Sequence, residues 1–63
     1  MCESNAYLVD GTGEESLLME SVDYLRVEDG RILIRSLFGE EMSVPGSLKE
    51  MRLTAHKITI QGT

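Results

Sequence analysis

Apolar residues along the chain fall in short runs, separated about every ten positions by turn-forming residues, a spacing that predicts a small β-sandwich or barrel. The turn signals stand at Asp10-Gly11-Thr12-Gly13, Asp29-Gly30, Phe38-Gly39-Glu40, Pro45-Gly46 and Thr54-Ala55-His56. Val22–Leu37 is the clearest unit. Asp29-Gly30 suits a two-residue type I′ turn, whose twist matches that of the flanking strands. Such a turn sets Glu28 opposite Arg31, and the register follows: Val27 with Ile32, Leu25 with Ile34, Arg26 with Leu33, Tyr24 with Arg35. One face of this hairpin is then apolar, and the pair nearest the turn carries opposite charges.

The C-terminal segment repeats the pattern. Met51 and Leu53 alternate with Glu50 and Arg52, and Ile58 and Ile60 alternate with Lys57, Thr59 and Gln61. A hairpin through Thr54–His56 puts both apolar rows on one face. A strand is expected at Asn5–Val9, and Met42 and Val44 make a further short strand that Pro45 stops. Glu14–Leu25 admits two readings. Leu18, Val22 and Leu25 have helical spacing, and Thr12 with Glu15 resembles a capping box. A strand at Ser16–Glu20 that bends into the hairpin is preferred, because Val22–Val27 is committed to pairing and too few residues remain for a helix. The expected fold is all-β, a barrel of five to seven short antiparallel strands in a single domain, 1–63.

Composition narrows what such a barrel does. Sixty-three residues make one small core, and a core of this size seldom supplies more than about 3–5 kcal/mol, so a second copy or a metal is an expected support. Eleven acidic against six basic residues, net charge −5, argue against nucleic acid, whose binding depends on clustered Lys and Arg. There is little room for an enclosed catalytic pocket, so an enzyme is not expected. No run approaches a membrane span. The first apolar run, Ala6–Val9, follows acidic Glu3 rather than a basic segment, so no signal peptide is expected and the protein is placed in the cytoplasm.

Most local motifs resolve into structure. Gly11-Thr12-Gly13 has Ser16 where a dinucleotide fingerprint needs its third glycine, and lacks the Gly-Lys-Ser/Thr of a phosphate loop, so it reads as a hairpin loop. Ser47-Leu48-Lys49-Glu50 fits a capping box, but the run to Leu53 is too short for a helix. Neighbours Glu14/Glu15 and Glu40/Glu41 point to opposite faces of a strand and form no acid–base pair. Met19, Met42 and Met51 read as core fillers. His56, the lone histidine, falls in a turn and reads as a surface residue, with a metal or switching role as the sharper alternative.

Cys2 is different because of its position. A single cysteine excludes an intrachain disulfide framework and a multi-cysteine zinc site within one chain. Yet cysteine is small enough for removal of Met1, and the chain would then start with Cys2. Its α-amine and thiolate form a five-membered chelate, with the Glu3 backbone nitrogen in reach as a third donor. Planar nitrogen-plus-thiolate sets suit Ni(II) or Cu(II). One terminus cannot fill four positions with strong ligands, whereas a two-fold dimer that brings its N-termini together can.

Met1-Cys2-Glu3-Ser4 leading into Ala6-Tyr7-Leu8-Val9, then Met19-Glu20-Ser21-Val22, Tyr24-Leu25 and the Asp29-Gly30 hairpin, resembles the CooT-like family of small nickel-binding proteins. Gly46-Ser47-Leu48-Lys49-Glu50-Met51-Arg52-Leu53 and His56-Lys57-Ile58 fit the same pattern. The resemblance implies an SH3-like barrel that forms a homodimer and binds one Ni(II) per dimer through Cys2. It also implies a metallochaperone role in maturing a nickel enzyme such as carbon monoxide dehydrogenase. Some relatives carry an older label of RNA-binding protein. The alternative to the nickel reading is accordingly a small-barrel RNA- or peptide-binding module, using the face formed by Tyr24, Arg26, Leu33 and Arg35.

Overall fold

A computed structural model describes residues 3–63 of the chain. Five strands follow one another: β1 (Ser4–Val9), β2 (Glu15–Glu28), β3 (Arg31–Ser36), β4 (Glu41–Arg52) and β5 (Lys57–Gly62). They close into a barrel in the order β1-β2-β3-β4-β5, so the fold is all-β as expected. Four of the neighbouring pairs are antiparallel. The closing pair, β1 with β5, is parallel, with Ala6 beside Ile58 and Leu8 beside Ile60.

The central hairpin has the expected register throughout, from Glu28 opposite Arg31 to Tyr24 opposite Arg35. Its turn differs in kind. Only Gly30 takes a positive φ, 66°, whereas a type I′ turn needs it at both central residues. The register survives because two loop residues, of whatever turn type, leave the same partners facing each other.

Two expectations about strand length are corrected. β2 is one strand of 14 residues rather than a short strand and a separate hairpin arm. It pairs with β1 through its first half and with β3 through its second, and the bend between them is a bulge with Ser21 at φ 56°. Likewise β4 is one strand of 12 residues that runs through Pro45 instead of stopping there. Pro45 is the last residue to pair with β3, opposite Arg31, and Gly46 is the first to pair with β5, opposite Gly62. Proline lacks the N–H that a ladder requires, so it is tolerated where a strand changes partners. Gly46 then turns the corner at φ 151°. A Cβ there would stand 2.3 Å from the Gln61 carbonyl oxygen, so only glycine fits. Five strands close the ring because two of them are long enough to be shared.

The interior is small and filled by Ala6, Met19, Val22, Ile32, Ile34, Ile58 and Ile60. Buried Thr59 sits between the two isoleucines of β5, so that strand is covered on both sides. Met19 is a core filler as expected, but Met42 and Met51 are not: they are 36% and 44% exposed. Val27 is also outside, at 58%, although its partner Ile32 is fully buried.

Candidate functional site

Three contacts secure the start of β1. The Glu3 carbonyl accepts a hydrogen bond from His56 Nδ1 at 3.1 Å. The Asn5 N–H donates to the His56 carbonyl at 2.9 Å. Asn5 Oδ1 accepts from the Ser21 N–H at 3.3 Å. Ser21 and His56 are also the two non-glycine residues with positive φ among those described, at 56° and 53°. A left-handed conformation costs a non-glycine residue about 1–2 kcal/mol, and such strain concentrates where surrounding contacts hold a functional segment. Both strained residues here hold the same three-residue stretch.

The Glu3 contact also sets the state of the histidine ring. A carbonyl oxygen only accepts, so neutral His56 carries its proton on Nδ1 and keeps the Nε2 lone pair free. This is the arrangement in which a histidine is oriented by a backbone carbonyl through one nitrogen and can bind through the other. The turn position of His56 was legible in the sequence, but its contact with a residue 53 positions away was not.

Of the two residues proposed for metal, Cys2 lies outside the described residues. Glu3 is described and exposed. Among the described residues no group of three or more His, Cys, Asp or Glu could hold a metal ion, so a metal at this end requires donors from the first residues of the chain. An amine, a thiolate and a backbone nitrogen are nitrogen-and-sulfur donors of the kind Ni(II) accepts, and Glu3, which follows Cys2 in sequence, is held by His56.

An apolar groove of about 230 Å³ opens next to this segment, lined by Ser4, Tyr24, Leu25, Met51, Leu53 and His56 among others. Leu53 is 71% exposed at its rim. The second candidate surface is also present in register, but its cations are engaged within the chain. Arg35 lies 4.5 Å from the centre of the Tyr24 ring and 3.5 Å from Glu41. Arg26 pairs with Glu28 at 3.4 Å. Such neutralised arginines release few counterions from a phosphate backbone.

The Gly11–Gly13 loop is a hairpin loop, as read from the sequence. Asp10 Oδ1 accepts from the Thr12 hydroxyl at 2.6 Å and from the N–H groups of Thr12 and Glu14 at 2.8 and 3.0 Å. The Thr12 hydroxyl first, then these backbone amides, hold the Asp10 carboxyl below its usual pKa. The carboxylate thus organises the loop and leaves no anion-binding cradle. No described helix is long and apolar enough to cross a membrane.

The model of the family described as CO dehydrogenase accessory protein CooT matches residues 1–61. A crystal structure of a candidate CooT from Carboxydothermus hydrogenoformans superposes with a TM-score of 0.87 at 29% identity, covering 98% of each chain. Among curated proteins, none matches.

Proposed function

Because this chain belongs to the CooT family of CO dehydrogenase accessory proteins, we propose that it binds Ni(II) for that enzyme's maturation. It is an accessory protein and not an enzyme. In the proposed site the Cys2 thiolate and terminal amine are the main ligands, with the Glu3 backbone nitrogen as a further donor. Two chains share one Ni(II) in a cytoplasmic homodimer. The observation that carries this reading is a family match that takes in the Met1-Cys2-Glu3 start. Further support comes from the clamp that His56 and Ser21 place on residues 3–5. The apolar groove beside that clamp, with Leu53 and Met51 uncovered, is suited to a second copy that brings its own N-terminus close.

Metal would supply only a stable complex here. The work of this chain's residues is to fix the terminus and to release two protons per amine–thiolate chelate, and a third where the Glu3 amide nitrogen also binds. A free terminal amine and thiol titrate near about 8 and 8.5, so affinity falls steeply as pH drops below neutral. Nickel titration of tagless protein, followed by thiolate-to-nickel absorption and native mass, tests the proposal. The expected result is one nickel per two chains, lost in Cys2→Ser; undiminished binding by Cys2→Ser removes the reading.

A further inference from the structure

The turn between β3 and β4 projects the chain's only phenylalanine into solvent, with Phe38 76% exposed. This is not a loose loop. Buried Ser36 accepts at Oγ from the N–H groups of Phe38 and Glu40, at 3.1 and 3.2 Å. Its backbone N–H donates to the Glu40 carbonyl at 2.8 Å, and its carbonyl accepts from the Gly39 N–H at 3.0 Å. Gly39 supplies the positive φ, 90°, that closes the turn. A buried hydroxyl thus holds an aromatic side chain outward, which is preorganisation for contact.

Phe38 does not stand alone. It borders a depression with Leu17 and Met42, themselves 50% and 36% exposed, and the rim carries Glu20, Glu40 and Glu41. Among the described residues no basic side chain lines it. Among the described residues Glu20 and Glu40 form no salt bridge, while Glu41 shares an exposed one with Arg35. An aromatic anchor within a charged rim is the anatomy of an interface. The charge decides the occupant. A two-fold contact with a second copy would bring the unpaired carboxylates Glu20 and Glu40 towards those of the other copy, and like charges facing each other oppose association.

We propose that this face docks a different protein, one that presents an apolar anchor flanked by Lys or Arg, and that the partner is the CO dehydrogenase served by the family. The proposal rests on the accessory role and not on the metal. It is tested by titrating nickel-free CO dehydrogenase with the full chain, with Phe38→Ser and with Glu40→Lys, at low and moderate salt. Nickel stoichiometry and native mass are recorded for each chain.

The parent chain should bind, and more weakly as salt rises. Phe38→Ser should lower affinity about ten-fold or more, as loss of a central aromatic does. Glu40→Lys should lower it too and weaken its salt dependence. Both variants should keep the parent's nickel stoichiometry and mass. Absent binding by the parent, or unchanged binding by both variants, overturns the proposal. So does a fall in mass for Phe38→Ser, which would make the face a contact between copies. Loss of nickel binding in the parent with docking intact would remove the metal reading and leave this one standing.

Discussion

Single residues at two places do what their neighbours in sequence cannot. Asp10 is fully ionised at neutral pH and receives three hydrogen bonds within its own hairpin loop. Its folded-state pKa is lowered, so its contribution to stability is present above the unfolded value and disappears as pH falls through the folded one. Thermal unfolding of the parent and of Asp10→Asn should therefore differ at neutral pH. The gap should narrow on acidification below about pH 4, the ordinary aspartate range. A gap independent of pH would show that the charge is irrelevant to the loop. His56 is the other case. Histidine tolerates the left-handed region better than most residues, and in that conformation its ring and its carbonyl hold Glu3 and Asn5 together.

At the scale of strands, the two corners explain most of what periodicity misjudged. Alternation identified Ser16–Glu20 and Val22–Val27 of β2 and Met42–Val44 of β4 as strand, but not Gly46–Lys49, where Ser47–Glu50 read as a capping box and Leu48 in fact pairs with Ile60. It could not identify continuity, because a strand that changes partners looks like two strands with punctuation between them. Pro45-Gly46 therefore read as a stop, and the bend expected between Glu20 and Val22 read as the end of one strand and the start of another. The corner in β4 is the stricter of the two. Gly46→Ala would force a Cβ against the Gln61 carbonyl at 2.3 Å, a backbone contact that cannot rotate away. A loss of about 3 kcal/mol or more is expected in urea unfolding, comparable with the whole stability of a core this size. A loss under about 1 kcal/mol, the ordinary effect of a point substitution, would mean that the corner has slack.

For the whole molecule, the decisive fact is how little the barrel can enclose. Among the described residues eight apolar side chains are buried, while Val27 and Leu48, and Leu53, Phe38, Leu17, Met51 and Met42, are left outside. The last five fall on two faces, the groove beside residue 3 and the acid-rimmed depression at Phe38, which fits one contact with a second copy and another with a partner. Leu53→Ser separates the first from folding. At 71% exposure the substitution should alter the monomer's stability by no more than about 0.5 kcal/mol, while native mass shifts from dimer towards monomer. A variant that stays dimeric places the contact elsewhere. By itself the sequence determined the all-β class and the central hairpin with its full register. These depend on local alternation, turn length and residue chemistry. Only the tertiary structure decided the parallel closure of β1 on β5, the sharing of β2 and β4, which apolar residues remain outside, and the meeting of His56 with Glu3. Each of these depends on distant segments brought together when the ring closes, and no local pattern encodes which side chains the closed ring has room to cover.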